Sequence, residues 1–145
     1  MEKARKQKFD GFANLYDEWF MKNEKLFTSE LRLFEKALGD IQGKKILSVG
    51  CGSGLFESYI DSSHIEGVEP SEDMGKIAEK RGVKILQYGL IEDVELKEES
   101  YDIIYFNGSS SYIEDLSPAY GKCLKALKKE GKLILLDVPK ESAFG

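Results

Sequence analysis

The sequence predicts a doubly wound α/β fold: a parallel sheet with helices on both faces. Three observations carry this reading. Five short runs (KKILSVG, HIEGVEP, VKILQY, YDIIYF and KLILLDV) are rich in apolar residues, as expected of parallel strands, which are buried on both faces. Between them stand stretches with helical spacing and recognisable caps. The two kinds of segment alternate, which is the pattern of βαβ units.

Taken in order, residues 1–27 form a polar N-terminal segment, expected to sit as a cap on a domain spanning 28–145. Within it, Tyr16 and Trp19 follow Phe12 at the spacing of a docking helix. Thr28 or Ser29 is expected to cap the next helix, with Leu31, Phe34 and Leu38 on one face and Gly39 as its stop. KKILSVG is the first strand, bounded by Gly43 and Gly50. Leu55, Phe56, Tyr59 and Ile60 form an i,i+4 stripe, so a helix is expected to begin inside the intervening loop. HIEGVEP is the second strand. Behind it, PSEDMGKIAEKRG reads as a helix with Ser71 as cap, acids in the first turn, Lys80 and Arg81 in the last, and Gly82 at its end. VKILQY and YDIIYF are the third and fourth strands. SPAYGKCLKALKKEG is expected to be helical as far as Gly131, with Ser117 as cap and Pro118 in the first helical position. KLILLDV is the fifth strand.

Composition narrows the function classes. A chain of 145 residues with 41% hydrophobic content suits one compact domain. A net charge of −5 argues against nucleic acid as a partner, since phosphate binding needs a basic face. Cys51 and Cys123 form no CxxC pair, so neither a disulfide framework nor a metal site is expected, and a reducing compartment fits. The basic start MEKARKQK is followed by FDGFANLYDEWF rather than an apolar core, so it does not read as a signal peptide. No run is long enough to span a bilayer. A cytoplasmic protein with no membrane partner is expected.

The chemistry concentrates in GCGSG, residues 50–54, at the exit of the first strand. Ligands of doubly wound sheets bind at the carboxyl ends of the strands. Glycine lets a ligand approach the backbone closely, and the N–H groups of a following helix can hold polar or anionic groups. In the dinucleotide fingerprint G-x-G-x-x-G, the third glycine would fall at Leu55; here it is Gly54. Glu69 ends the second strand, where an acid can accept from both hydroxyls of a ribose. Loop and acid together predict a nucleoside with a free ribose diol lying across the first two strands.

ILSVGCGSG followed by GVEPSEDM resembles the first two motifs of class I S-adenosylmethionine-dependent methyltransferases. The likeness runs on from QYGLIEDVELKEES to GKLIL, which parallels the later motifs in order and spacing. FDGFANLYDEWF resembles the N-terminal segment of the small ubiquinone-biosynthesis-like branch. The resemblance implies a Rossmann-like core with strand order 3-2-1-4-5 and S-adenosyl-L-methionine as cofactor. It also implies the contacts. The backbone of Gly50, Cys51, Gly52 and Gly54 would lie beside the methionine part and ribose, and Glu69 would hold the 2′ and 3′ hydroxyls. Pro70 and Met74 would flank the adenine, with Leu90 and Ile91 on its other side, Ile91 offering its backbone N–H. Asn107 and Gly108 would approach the methionine portion, and Tyr16 would close over the cofactor.

Three departures from the family pattern stand out. Ser48 takes the place of an acid that helps orient the cofactor's amino group. Leu90 replaces an Asp that meets the adenine amino group. The family carries seven strands, whereas this sequence stops just past the fifth, so strands six and seven are expected to be missing. An uncovered edge of that kind is a template for pairing, and either a homodimer through it or an aggregation-prone truncate is expected.

The expected activity is methyl transfer to a small-molecule acceptor. No general base stands out, and no catalytic residue is assigned. Cys51 reads as a small loop residue rather than a nucleophile, and His64 as structural or exposed. Two alternatives stay open: a non-catalytic S-adenosylmethionine-binding protein, and an NAD-dependent oxidoreductase. Against the latter stand the glycine spacing and the lack of a Tyr-x-x-x-Lys or His arrangement.

Overall fold

The computed structural model describes residues 22–107 and 116–136. The N-terminal positions Tyr16 and Trp19, and Gly108 after the fourth strand, lie outside the described residues. Helix α1 (Glu24–Leu38) leads into β1 (Ile46–Val49), β2 (Ile65–Val68), α2 (Glu72–Lys80), β3 (Lys84–Gln87), β4 (Tyr101–Asn107), α3 (Leu116–Ala126) and β5 (Leu127–Leu136). The strands form one sheet in the order β3-β2-β1-β4-β5, and every neighbouring pair is parallel. The strand order that the family resemblance implies is the one observed.

The sheet is covered on both faces, which is why β1 is buried at all four positions. Ile46, Ile103 and Tyr105 turn to one face and pack with Phe27, Phe34 and Leu38 of α1 and with Met74 and Ala78 of α2. Leu47, Val49, Ile104 and Phe106 turn to the other and pack with Ala119, Cys123 and Ala126 of α3. On the α1 face, Phe34 meets the Tyr105 ring edge-on, with centroids 5.3 Å apart. Among the described residues, no helix is long and apolar enough to cross a membrane.

Three local expectations are corrected. Helix α1 starts earlier than Thr28, because Phe27 is buried and carries the apolar face back one turn. Thr28 and Ser29 are therefore internal, their hydroxyls donating to the carbonyls of Glu24 (2.9 Å) and Lys25 (3.1 Å). The helix expected after the glycine loop shrinks to a single 3₁₀ turn, Glu57–Tyr59. Its bonds run from Tyr59 N–H to Phe56 and from Ile60 N–H to Glu57, so no long helix presents its N-terminus to a ligand there.

The third correction concerns α3, which ends at Ala126 rather than Gly131 and holds Ser117 and Pro118 inside its first turn. The N–H groups of Glu99 and Ser100 take the carbonyls of Lys125 (3.0 Å) and Ala126 (2.8 Å), and Leu127 already pairs with Tyr101. Pairing with the sheet thus overrides the helical spacing of KALKKEG. The cap at Ser71 is observed as expected, its Oγ accepting from the N–H of Met74 at 3.3 Å.

Candidate functional site

The exits of the first three strands are tied together. Gly50 N–H donates to the Val68 carbonyl at 2.7 Å, and Glu69 N–H to the Gln87 carbonyl at 3.3 Å. Glu69, only 2% exposed, accepts the N–H of Gly52 (2.7 Å) on one carboxylate oxygen and that of Ser71 (2.8 Å) on the other. A single side chain thus fixes the glycine loop against the start of α2. Arg81, just past α2, donates to the carbonyl (2.9 Å) and hydroxyl (3.1 Å) of Ser53 and pins the loop's far side.

The loop glycines serve different ends. At Gly52, φ is +61° and, among the described residues, a Cβ would meet only Met74 Sδ, at 3.8 Å, so these residues leave room beside the backbone there. At Gly54, φ is +72° and a Cβ would come within 3.0 Å of Ala78 Cα and 3.1 Å of its Cβ. The third glycine thus packs closely on α2, where a side chain would not fit.

Met74 and Leu90 are buried in the same cluster, while Ile91 is buried in the one on the other face of the sheet. Pro70 is buried between Glu69 and Ser71. Asn107 ends β4, paired with Leu136. Tyr16 and Gly108 fall outside the described residues. Cys51 is buried, and its thiol pKa is pushed well above the usual range by burial and by the nearby carboxylates of Glu69 and Glu57. Both oppose formation of a thiolate.

Two residues of the site region went unread in the sequence. Lys122 of α3 donates to the carbonyls of Ile91 (3.0 Å), Glu92 (2.7 Å) and Val94 (2.7 Å), locking the turn that carries Leu90 and Ile91. Glu57 is fully buried, and its Oε2 accepts from Ser48 Oγ (3.3 Å) and from the Tyr105 hydroxyl. Its Oε1 has no hydrogen-bond partner among the described residues. Burial is the chief cause that raises its pKa, opposed by the bonds from Tyr105, its own backbone and Ser48. The only sequence signal was an acid inside the apolar run Leu55–Ile60. Its partners become visible only in the sheet, where Ser48 and Tyr105 lie opposite each other on β1 and β4.

The family described as "Methyltransferase domain" matches residues 47–135. An uncharacterised protein of Methanocaldococcus jannaschii is 31% identical over 94% of this chain and 64% of its own length. Malonyl-[acyl-carrier protein] O-methyltransferase of Bacillus cereus is 29% identical over 88% of this chain and 50% of its own. The crystal structure of a Thermotoga maritima S-adenosylmethionine-dependent methyltransferase is 34% identical, with a TM-score of 0.78, over 90% of this chain and 60% of that one. The chain thus spans between half and about two thirds of the length of these relatives.

Proposed function

The chain belongs to the methyltransferase-domain family, the Rossmann-like class I that uses S-adenosylmethionine, and from that premise we propose that it holds this cofactor at residues 50–54 and Glu69 and transfers its methyl group to a small molecule. The carrying observation is the buried Glu69 carboxylate, fixed between the Gly52 and Ser71 N–H groups beside a stretch of backbone with room next to it. Each carboxylate oxygen has two lone-pair sites, so one that takes an N–H can also take a ribose hydroxyl. The backbone bonds aim both oxygens before the ligand arrives, which lowers the cost of binding.

Met74 and Leu90 give the adenine an apolar wall, and Lys122 steadies the turn behind it. S-adenosylmethionine, when bound, supplies an electrophilic methyl on a sulfonium. The protein's work is then to hold that methyl in line with the acceptor, and positioning of this kind supplies much of the rate. The net charge of −5 favours a small-molecule acceptor over a nucleic acid.

Calorimetric titration with S-adenosylhomocysteine and with NAD, followed by a labelled-methyl screen over small acceptors, tests the proposal. Saturable heat with the sulfur nucleotide, none with NAD, and label in an acceptor are expected. Folded protein that gives no heat with S-adenosylhomocysteine overturns it.

A further inference from the structure

We propose that the Glu57 carboxylate anchors the α-ammonium group of the donor's methionine end, doing from the turn after the glycine loop what an acid at Ser48 would do from the strand. The inference rests on the nucleotide reading above and assigns a residue to one part of that ligand. Glu57 follows Gly54 by three residues and reaches back beneath the loop to Ser48. One carboxylate oxygen is saturated by two hydroxyl donors, from Ser48 and Tyr105, while the other is buried with no partner among the described residues.

A buried acceptor left without a donor is costly, and an ammonium, with three N–H donors and a full charge, is its chemical complement. The placement agrees with the ligand's shape. The Cys51 thiol, in the middle of the glycine loop, feels both the Glu69 and the Glu57 carboxylates. In the proposed pose Glu69, bonded to the Gly52 N–H, accepts from the hydroxyls, and Glu57, bonded to Ser48 just before the loop, accepts from the cation. A nucleoside with an amino-acid tail presents its ribose hydroxyls at its middle and its ammonium at one end.

The test compares S-adenosylhomocysteine, which carries the ammonium, with 5′-methylthioadenosine, the same nucleoside without the amino-acid end. Glu57→Gln keeps the shape and an oxygen to accept from Ser48 and Tyr105. It is expected to weaken S-adenosylhomocysteine about tenfold or more, as loss of a charged hydrogen bond does, and to leave 5′-methylthioadenosine within about twofold. Equal weakening of both ligands, or of neither, overturns the assignment.

Should Glu57→Gln fail to fold, Glu57→Asp carries the comparison. It keeps the charge but draws it back along a shorter side chain, and is expected to weaken S-adenosylhomocysteine several-fold with 5′-methylthioadenosine unchanged; equal weakening of both ligands, or of neither, overturns the proposal. If folded wild type binds neither ligand, the nucleotide reading fails and this assignment falls with it.

Discussion

Alanine at Gly52 and at Gly54 should produce opposite defects, although the two glycines stand in one short loop. At Gly54 a Cβ would meet φ +72° and lie 3.0 Å from Ala78 Cα. A left-handed conformation costs a residue bearing a Cβ about 1–2 kcal/mol, and overpacking adds about 1–3 kcal/mol. The total of about 2–5 kcal/mol converts to a fall in Tm of roughly 5–15 °C for a domain of this size. At Gly52 the neighbour is a flexible Met74 sulfur at 3.8 Å, so only the conformational part remains, about 1–2 kcal/mol. The Gly52→Ala methyl would instead occupy the space proposed for the ligand. Thermal unfolding of both variants, with S-adenosylhomocysteine titration of each, separates the two effects. Gly54→Ala should lose the larger share of Tm, and Gly52→Ala the larger share of affinity. Equal Tm losses, or wild-type affinity in Gly52→Ala, would refute the reasoning.

Other variants probe the remaining parts. Glu69→Ala is expected to weaken S-adenosylhomocysteine by about 2–3 kcal/mol, measured by titration, and to lower Tm because the Gly52 and Ser71 N–H groups lose a buried acceptor. Lys122→Met removes the ammonium that bridges three carbonyls, of which that of Ile91 keeps the Val94 N–H; a loss of about 1–3 kcal/mol is expected, with faster amide exchange at residues 90–94. Glu57 binds its proton more tightly folded than unfolded, since burial raises its pKa. Its contribution to stability therefore falls as pH rises above the ordinary carboxylate range, and Glu57→Gln should flatten that part of the ligand-free stability curve. Asp102 behaves oppositely. The Lys45 N–H bond holds its pKa down despite some desolvation, with Lys128 adding to the effect, so its contribution is lost as pH falls through the acid range and Asp102→Asn should flatten that limb. Cys51 should resist iodoacetamide until the protein unfolds.

The central strands were legible because a strand covered on both faces is largely apolar, as β1 and β4 are, whereas the edge strand β3 is exposed at three of its four positions and was expected to be buried. The Ser71 cap was legible because its hydrogen bond closes within three residues. What could not be read depended on contacts distant in sequence. The spacing of KALKKEG is helical, yet Leu127 is drawn into the sheet by Tyr101. The close packing of Gly54 on Ala78 of α2 could not be read either, since the two meet only in the folded chain. Glu57 gave almost no sign of itself, since Tyr105 lies 48 residues away and meets it only after β1 and β4 align.

A crystal structure of the protein with S-adenosylhomocysteine bound tests the central claim most directly. The account predicts both ribose hydroxyls within hydrogen-bond distance of the Glu69 carboxylate, with the sugar and methionine end lying along the main chain of residues 50–54. A nucleoside bound elsewhere, or one held without contact to Glu69, would contradict it.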